Sequence, residues 1–89
     1  MKTKVKRPAN SGRPDYFATA IRARNARKRN LRTDKPADLR TAITLFRQAA
    51  EGARLANDPK TARSFSSSAG NLLSIMREIW PTEAKKWFK

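Results

Sequence analysis

The chain has 89 residues, seven acids, 21 lysines and arginines and a formal net charge of +14. That length suits one small domain. With no cysteine and no histidine, disulfides, thiolate or imidazole metal sites and the commonest general base are excluded. The seven acids, Asp15, Asp34, Asp38, Glu51, Asp58, Glu78 and Glu83, form no converging catalytic pair. The expectation is a non-enzyme with no metal and no cofactor.

Eleven of the basic residues lie in the first 32 positions, opposed there by Asp15 alone. A cationic segment of this kind most commonly meets a polyanion. No apolar run approaches the ~20 residues that cross a bilayer, and no apolar stretch of a secretory signal follows the basic start. A soluble intracellular protein is expected, in the cytoplasm, nucleoid or nucleus.

Residues 1–13 are polar, cationic and interrupted by Pro8 and Gly12. They read as a disordered basic arm in which Lys4, Lys6, Arg7 and Arg13 are candidate phosphate contacts. A single helical domain is expected over 14–89. Its first helix, about 14–31, opens on Pro14 and Asp15, which suit the first turn. Tyr16, Phe17, Ala20 and Ile21 cluster in the first two turns. From Arg22 onward charge dominates, which predicts a helix docked at its start and solvated, or bound to a polyanion, at its end.

Thr33-Asp34-Lys35-Pro36 predicts a turn with Asp34 as the helix cap. The second helix, about 36–56, carries Leu39, Ile43, Phe46, Ala50 and Ala53 at alternating steps of four and three, a single apolar stripe. Arg40, Arg47 and Arg54 share the far side, and Glu51 is spaced to pair with Arg47 or Arg54. In Asn57-Asp58-Pro59, Asp58 is the expected cap and Pro59 the first helical residue. The third helix, about 59–80, repeats the stripe with Ala62, Phe65, Ala69, Leu72, Met76 and Ile79. Small residues from Ser64 to Gly70 invite close approach of another backbone. Pro81 ends that helix, and the tail can add one turn anchored by Trp87 and Phe88.

Two matched stripes joined by a short connection predict an antiparallel helical hairpin inside an all-α small bundle. Roughly 55 residues outside the basic arm are few for a monomeric core. A homodimer is therefore one expected state, with Phe65, Leu73, Trp80, Trp87 and Phe88 as candidate interface residues.

Asp38-Leu39, Ala42-Ile43, Phe46 and Ala49, followed by Ala69-Gly70 and Leu73, stand in the register of a tetratricopeptide second helix and the next first helix. Over about residues 38–73 the chain resembles one such hairpin. The resemblance implies the packing geometry of a single helix pair and does not extend to a solenoid groove.

The sharpest functional candidate is IRARNARKRNLR, residues 21–32. Arginine forks bind phosphate oxygens and stack on bases. Arg22, Arg24, Arg27, Lys28, Arg29 and Arg32 are the expected nucleic-acid contacts on this helix, with Asn25 and Asn30 placed to reach base edges. No acid interrupts Tyr16 to Thr33, whereas ordinary solvated faces mix both signs. Arg40, Arg47 and Arg54 are a candidate secondary basic face. The partner is expected to be DNA or RNA, bound with low sequence preference. The alternative is an interaction or assembly module docking on an acidic protein surface. A membrane role is the least favoured.

Overall fold

A computed structural model describes residues 15–88, which form four helices: α1 (Asp15–Thr33), α2 (Pro36–Leu55), α3 (Pro59–Ile79) and α4 (Pro81–Trp87). No strand occurs among the described residues, and the fold is an all-α bundle. The three long helices end within two residues of their expected bounds. The tail forms a seven-residue helix, longer than the single turn expected. The basic arm expected over residues 1–13 lies outside the described residues.

The second helix is the centre of the molecule, packed against both α1 and α3. Its buried residues are the expected stripe, Leu39, Ile43, Phe46, Ala50 and Ala53, together with Ala42 and Ala49. From α3 come Phe65, Ala69, Leu72, Leu73 and Met76. Leu39, Ile43 and Met76 are the largest fully buried side chains. Complete burial of such a residue is worth about 1.5–3 kcal/mol. Ile79 departs from the expected stripe and is 57% exposed. It is the last helical residue before Pro81, and the core there is closed by α4 through Ala84, with Trp80, Trp87 and Phe88 packed partly buried against it.

The joint between α2 and α3 assigns a separate task to each of three residues. Asn57 adopts φ 61°, in the left-handed region that Asn tolerates better than most residues. Its N–H donates to the Arg54 carbonyl, and the Asp58 N–H donates to the Ala53 carbonyl, which satisfies the carbonyls left open at the end of α2. Asp58 caps α3 by accepting from the Thr61 N–H at 3.3 Å, and Pro59 follows at the first helical position.

At the joint between α1 and α2 the expected cap is corrected. Asp34 has φ 58° and closes α1 instead, its N–H donating to the Asn30 carbonyl at 2.7 Å. The residue preceding α2 is Lys35, which makes no side-chain capping bond. Asp38 supplies the acid of the first turn and accepts from the Thr33 hydroxyl at 2.6 Å.

The expectation that α1 is docked only at its start is also corrected. Tyr16, Ala20, Ala23, Ala26 and Asn30 are buried along its whole length. At the first turn the Tyr16 hydroxyl donates to Asp58 Oδ2 at 3.0 Å. The Tyr16 ring meets Phe17 and Phe65, and Phe65 also meets Phe46. Burial first, then the neighbouring Asp58, raises the Tyr16 phenol above its ordinary pKa. Hydrogen bonds from Thr61 and Tyr16 hold the Asp58 carboxyl below its own. The middle of α1 rests on Ala20, Ala23 and Ala26, and the closest fit to α2 is at its first turn. A Cβ built on Gly52 of α2 would stand 3.1 Å from Tyr16 Cβ. By contrast, Gly70 faces open space, so no backbone approaches α3 at that residue. Near the end of α1, Asn30 is 2% exposed. Its amide donates to the Lys35 carbonyl at 2.7 Å and accepts from Arg27 at 2.7 Å. Asn30 fastens α1 to the turn and is not available to a base edge.

Candidate nucleic-acid interface

Because the buried stripe of α1 faces α2, its cations are distributed over the remaining surface. Arg22, Arg24, Lys28, Arg29 and Arg32 are exposed, and Arg27 is half-buried. Five of them fall on two flanks. Arg24, Arg27 and Lys28 line a groove of about 380 Å³ whose opposite wall is Ser68 and Asn71 of α3, with Phe46 and Leu72 also lining it. On the other side Arg22, Asn25 and Arg29 border a shallower depression of about 240 Å³ with Thr41 and Leu45 of α2. Thr41 and Leu45 also line a neighbouring depression with Ala37, Arg40 and Thr44. Arg22, Arg29 and Arg40 therefore border two adjoining depressions that share Thr41 and Leu45. No carboxylate appears among the described residues lining these three depressions.

Arg40, Arg47 and Arg54 share one side of α2, but each has its own partner. The Arg40 guanidinium lies over the Trp87 ring at 4.9 Å, and that of Arg47 over Phe88 at 5.0 Å. Such contacts are worth about 0.5–1 kcal/mol at exposed sites. They also direct the two forks from a supporting aromatic surface. Arg54 instead pairs with Glu51, its Nε donating to Oε1 at 3.0 Å. That hydrogen bond holds the Glu51 carboxyl below its ordinary pKa. It is the ion pair found among the described residues, so the six cations of α1 have no carboxylate partner there.

The candidate interface residues divide into two groups. Phe65 and Leu73 are core residues at 6% and 8% exposure, which withdraws them from any partner surface. Trp80, Trp87 and Phe88 are half-buried against the core. The large apolar side chains left in solvent are different ones: Phe17, Ile21, Leu31, Leu55 and Ile79. Lys4, Lys6, Arg7 and Arg13 lie outside the described residues.

Ser68 and Asn71 were not legible as wall residues in the sequence. They are three apart and share a face of α3, but their opposition to α1 arises from packing across α2. Among the described residues no group of three His, Cys, Asp or Glu side chains is placed to hold a metal ion. No described helix is long and apolar enough to cross a membrane. Comparison with protein-family models, curated proteins and solved structures returns no significant match.

Proposed function

We propose that this protein binds nucleic acid through its phosphate backbone, with low sequence preference, and that α1 is the principal contact. One observation carries the reading. Six cations, Arg22 to Arg32, occupy the solvent faces of a helix whose opposite face is buried, and no carboxylate of the described residues pairs with them. Concentrating like charge on one small helix costs self-repulsion in the free protein, and a polyanion relieves it. Arginine suits the task because its planar fork pairs bidentately with phosphate. The arm residues Lys4, Lys6, Arg7 and Arg13 add charge at the start of the same helix and extend the contact along the backbone.

A second reading has its own support. Phe17, Ile21 and Leu31 are 38%, 46% and 67% exposed on the cationic helix, and mixed apolar and basic surface also suits an acidic protein partner. The two readings differ in salt dependence. Binding of labelled nucleic acid by the intact chain is expected to fall steeply with salt. Each neutralised phosphate contributes about 0.9 to the slope of log K against log salt on duplex DNA. Replacing all six α1 cations by Gln removes most of that slope. A shallow slope, unchanged in the six-fold variant, refutes the nucleic-acid reading. Loss of partner binding in Phe17→Ala with the slope intact favours the protein partner.

A further inference from the structure

Resting on the nucleic-acid reading, we infer that α1 seats in the major groove of B-form DNA and touches both groove walls at once. The placement of charge around the helix leads to this. With Tyr16, Ala20, Ala23, Ala26 and Asn30 facing inward, a period of 3.6 residues sets Arg24 and Lys28 on one flank. Arg22 and Arg29 fall on the other, and Ile21, Asn25 and Arg32 run along the outer ridge. The depressions beside α1 agree: Arg24 and Lys28 border the groove toward α3, and Arg22 and Arg29 border the one toward α2. A protein that tracked a single phosphate strand would need one flank only.

The dimensions suit a duplex. The segment Arg22 to Arg32 is about 15 Å long at 1.5 Å per residue, and a helix with side chains is about 10–12 Å across. The major groove of B-DNA is about 12 Å wide, with phosphates along both edges. A-form RNA offers a deep, narrow major groove that side chains do not read. Arg24 and Lys28 then meet phosphates of one strand and Arg22 and Arg29 those of the other. Asn25 and Arg32 face the base edges from the ridge. Neither flank depression is lined by a described carboxylate that would repel a phosphate. Arg40, stacked on Trp87, continues the α2-side flank.

The test uses the intact chain and two double variants, Arg22→Ala with Arg29→Ala and Arg24→Ala with Lys28→Ala. All four residues are exposed, and circular dichroism checks that both variants keep the helical fold. Fluorescence anisotropy across a salt series follows binding to a short duplex DNA, a duplex RNA of the same sequence and a single DNA strand. Each double variant is expected to flatten the duplex-DNA slope by about 1.8, two phosphates at about 0.9 each. Duplex DNA should bind at least about tenfold tighter than duplex RNA, given the closed A-form groove. A flank pair whose loss leaves the duplex-DNA slope unchanged overturns the two-wall seating. Equal affinity for all three nucleic acids with a steep common slope overturns it too, while leaving backbone binding standing. A flat slope on all three overturns both.

Discussion

Asn30 provides the sharpest test of how α1 is held. Its side chain makes two hydrogen bonds, donating to the Lys35 carbonyl and accepting from Arg27, both at 2.7 Å. Asn30→Ala removes both. Each is worth about 0.5–1.5 kcal/mol net, with more lost if a buried partner is left unsatisfied. Lys35 is exposed and Arg27 half-buried, so water recovers part of the loss, and alanine gains roughly 0.5 kcal/mol of helix propensity. The balance is a loss of roughly 1–2 kcal/mol. At about 4–8 °C per kcal/mol for a domain of this size, the midpoint should fall by roughly 5–15 °C. Thermal melts followed by far-ultraviolet circular dichroism measure it. Asn25→Ala is the control, because Asn25 is exposed on the same helix and should stay within about 0.5 kcal/mol of the parent. If the two variants melt together, Asn30 is not the fastening described.

Leu39→Ala, at a site with no solvent exposure, should cost about 2–5 kcal/mol, measured as a lower urea midpoint with an unchanged slope. Asp34→Gly should raise stability by up to about 1 kcal/mol, because glycine adopts the left-handed conformation of this residue without strain; a lower melting point in the variant counts against that geometry. Tyr16 is the single tyrosine of the chain, so phenolate absorbance reports on it alone. Its folded-state pKa is raised, so the neutral phenol stabilises the fold below the ordinary value of about 10, and this stabilisation disappears as pH rises through the folded value. Asp58 acts in the opposite direction. Its folded pKa is lowered, so its contribution is present above the ordinary value of about 3.9 and lost as acid protonates the folded carboxyl. Asp58→Asn should flatten the acid side of a stability profile, and an unaltered profile would contradict the assignment.

The parts of the fold legible in the sequence are those carried by large apolar side chains. Leu39, Ile43 and Phe46 in α2 and Phe65, Leu72 and Met76 in α3 repeat at helical spacing and are buried. Asn57-Asp58-Pro59 uses residue types with strong local preferences, and the turn follows them. The docking of α1 was hidden because alanine is both a helix former and a contact residue. Ala20, Ala23 and Ala26 announce a helix without indicating which face is covered. Asp34 satisfies the requirements of a cap and of a left-handed residue equally well, and the bond from its own N–H to Asn30 selects the second. For the candidate site, the run of cations was visible, but its division into two flanks depends on which residues face α2. The stacking of Arg40 on Trp87 and of Arg47 on Phe88 joins residues more than forty positions apart and has no local signal.

The alanine contact under α1 has a further consequence for how the molecule opens. An alanine methyl buries little area, about 0.8 kcal/mol per carbon, against about 1.5–3 kcal/mol for the leucines, isoleucine and phenylalanines shared by α2 and α3. Amide protons of α1 should therefore exchange with solvent sooner than those of α2, through a local opening that leaves the α2–α3 pair intact. Of the three long helices, the one seated mainly on alanine is also the one that carries the run of cations from Arg22 to Arg32. A ligand gripping α1 suppresses that opening, so protection gained on binding should concentrate in residues 15–33 and measure the coupling between occupancy and order.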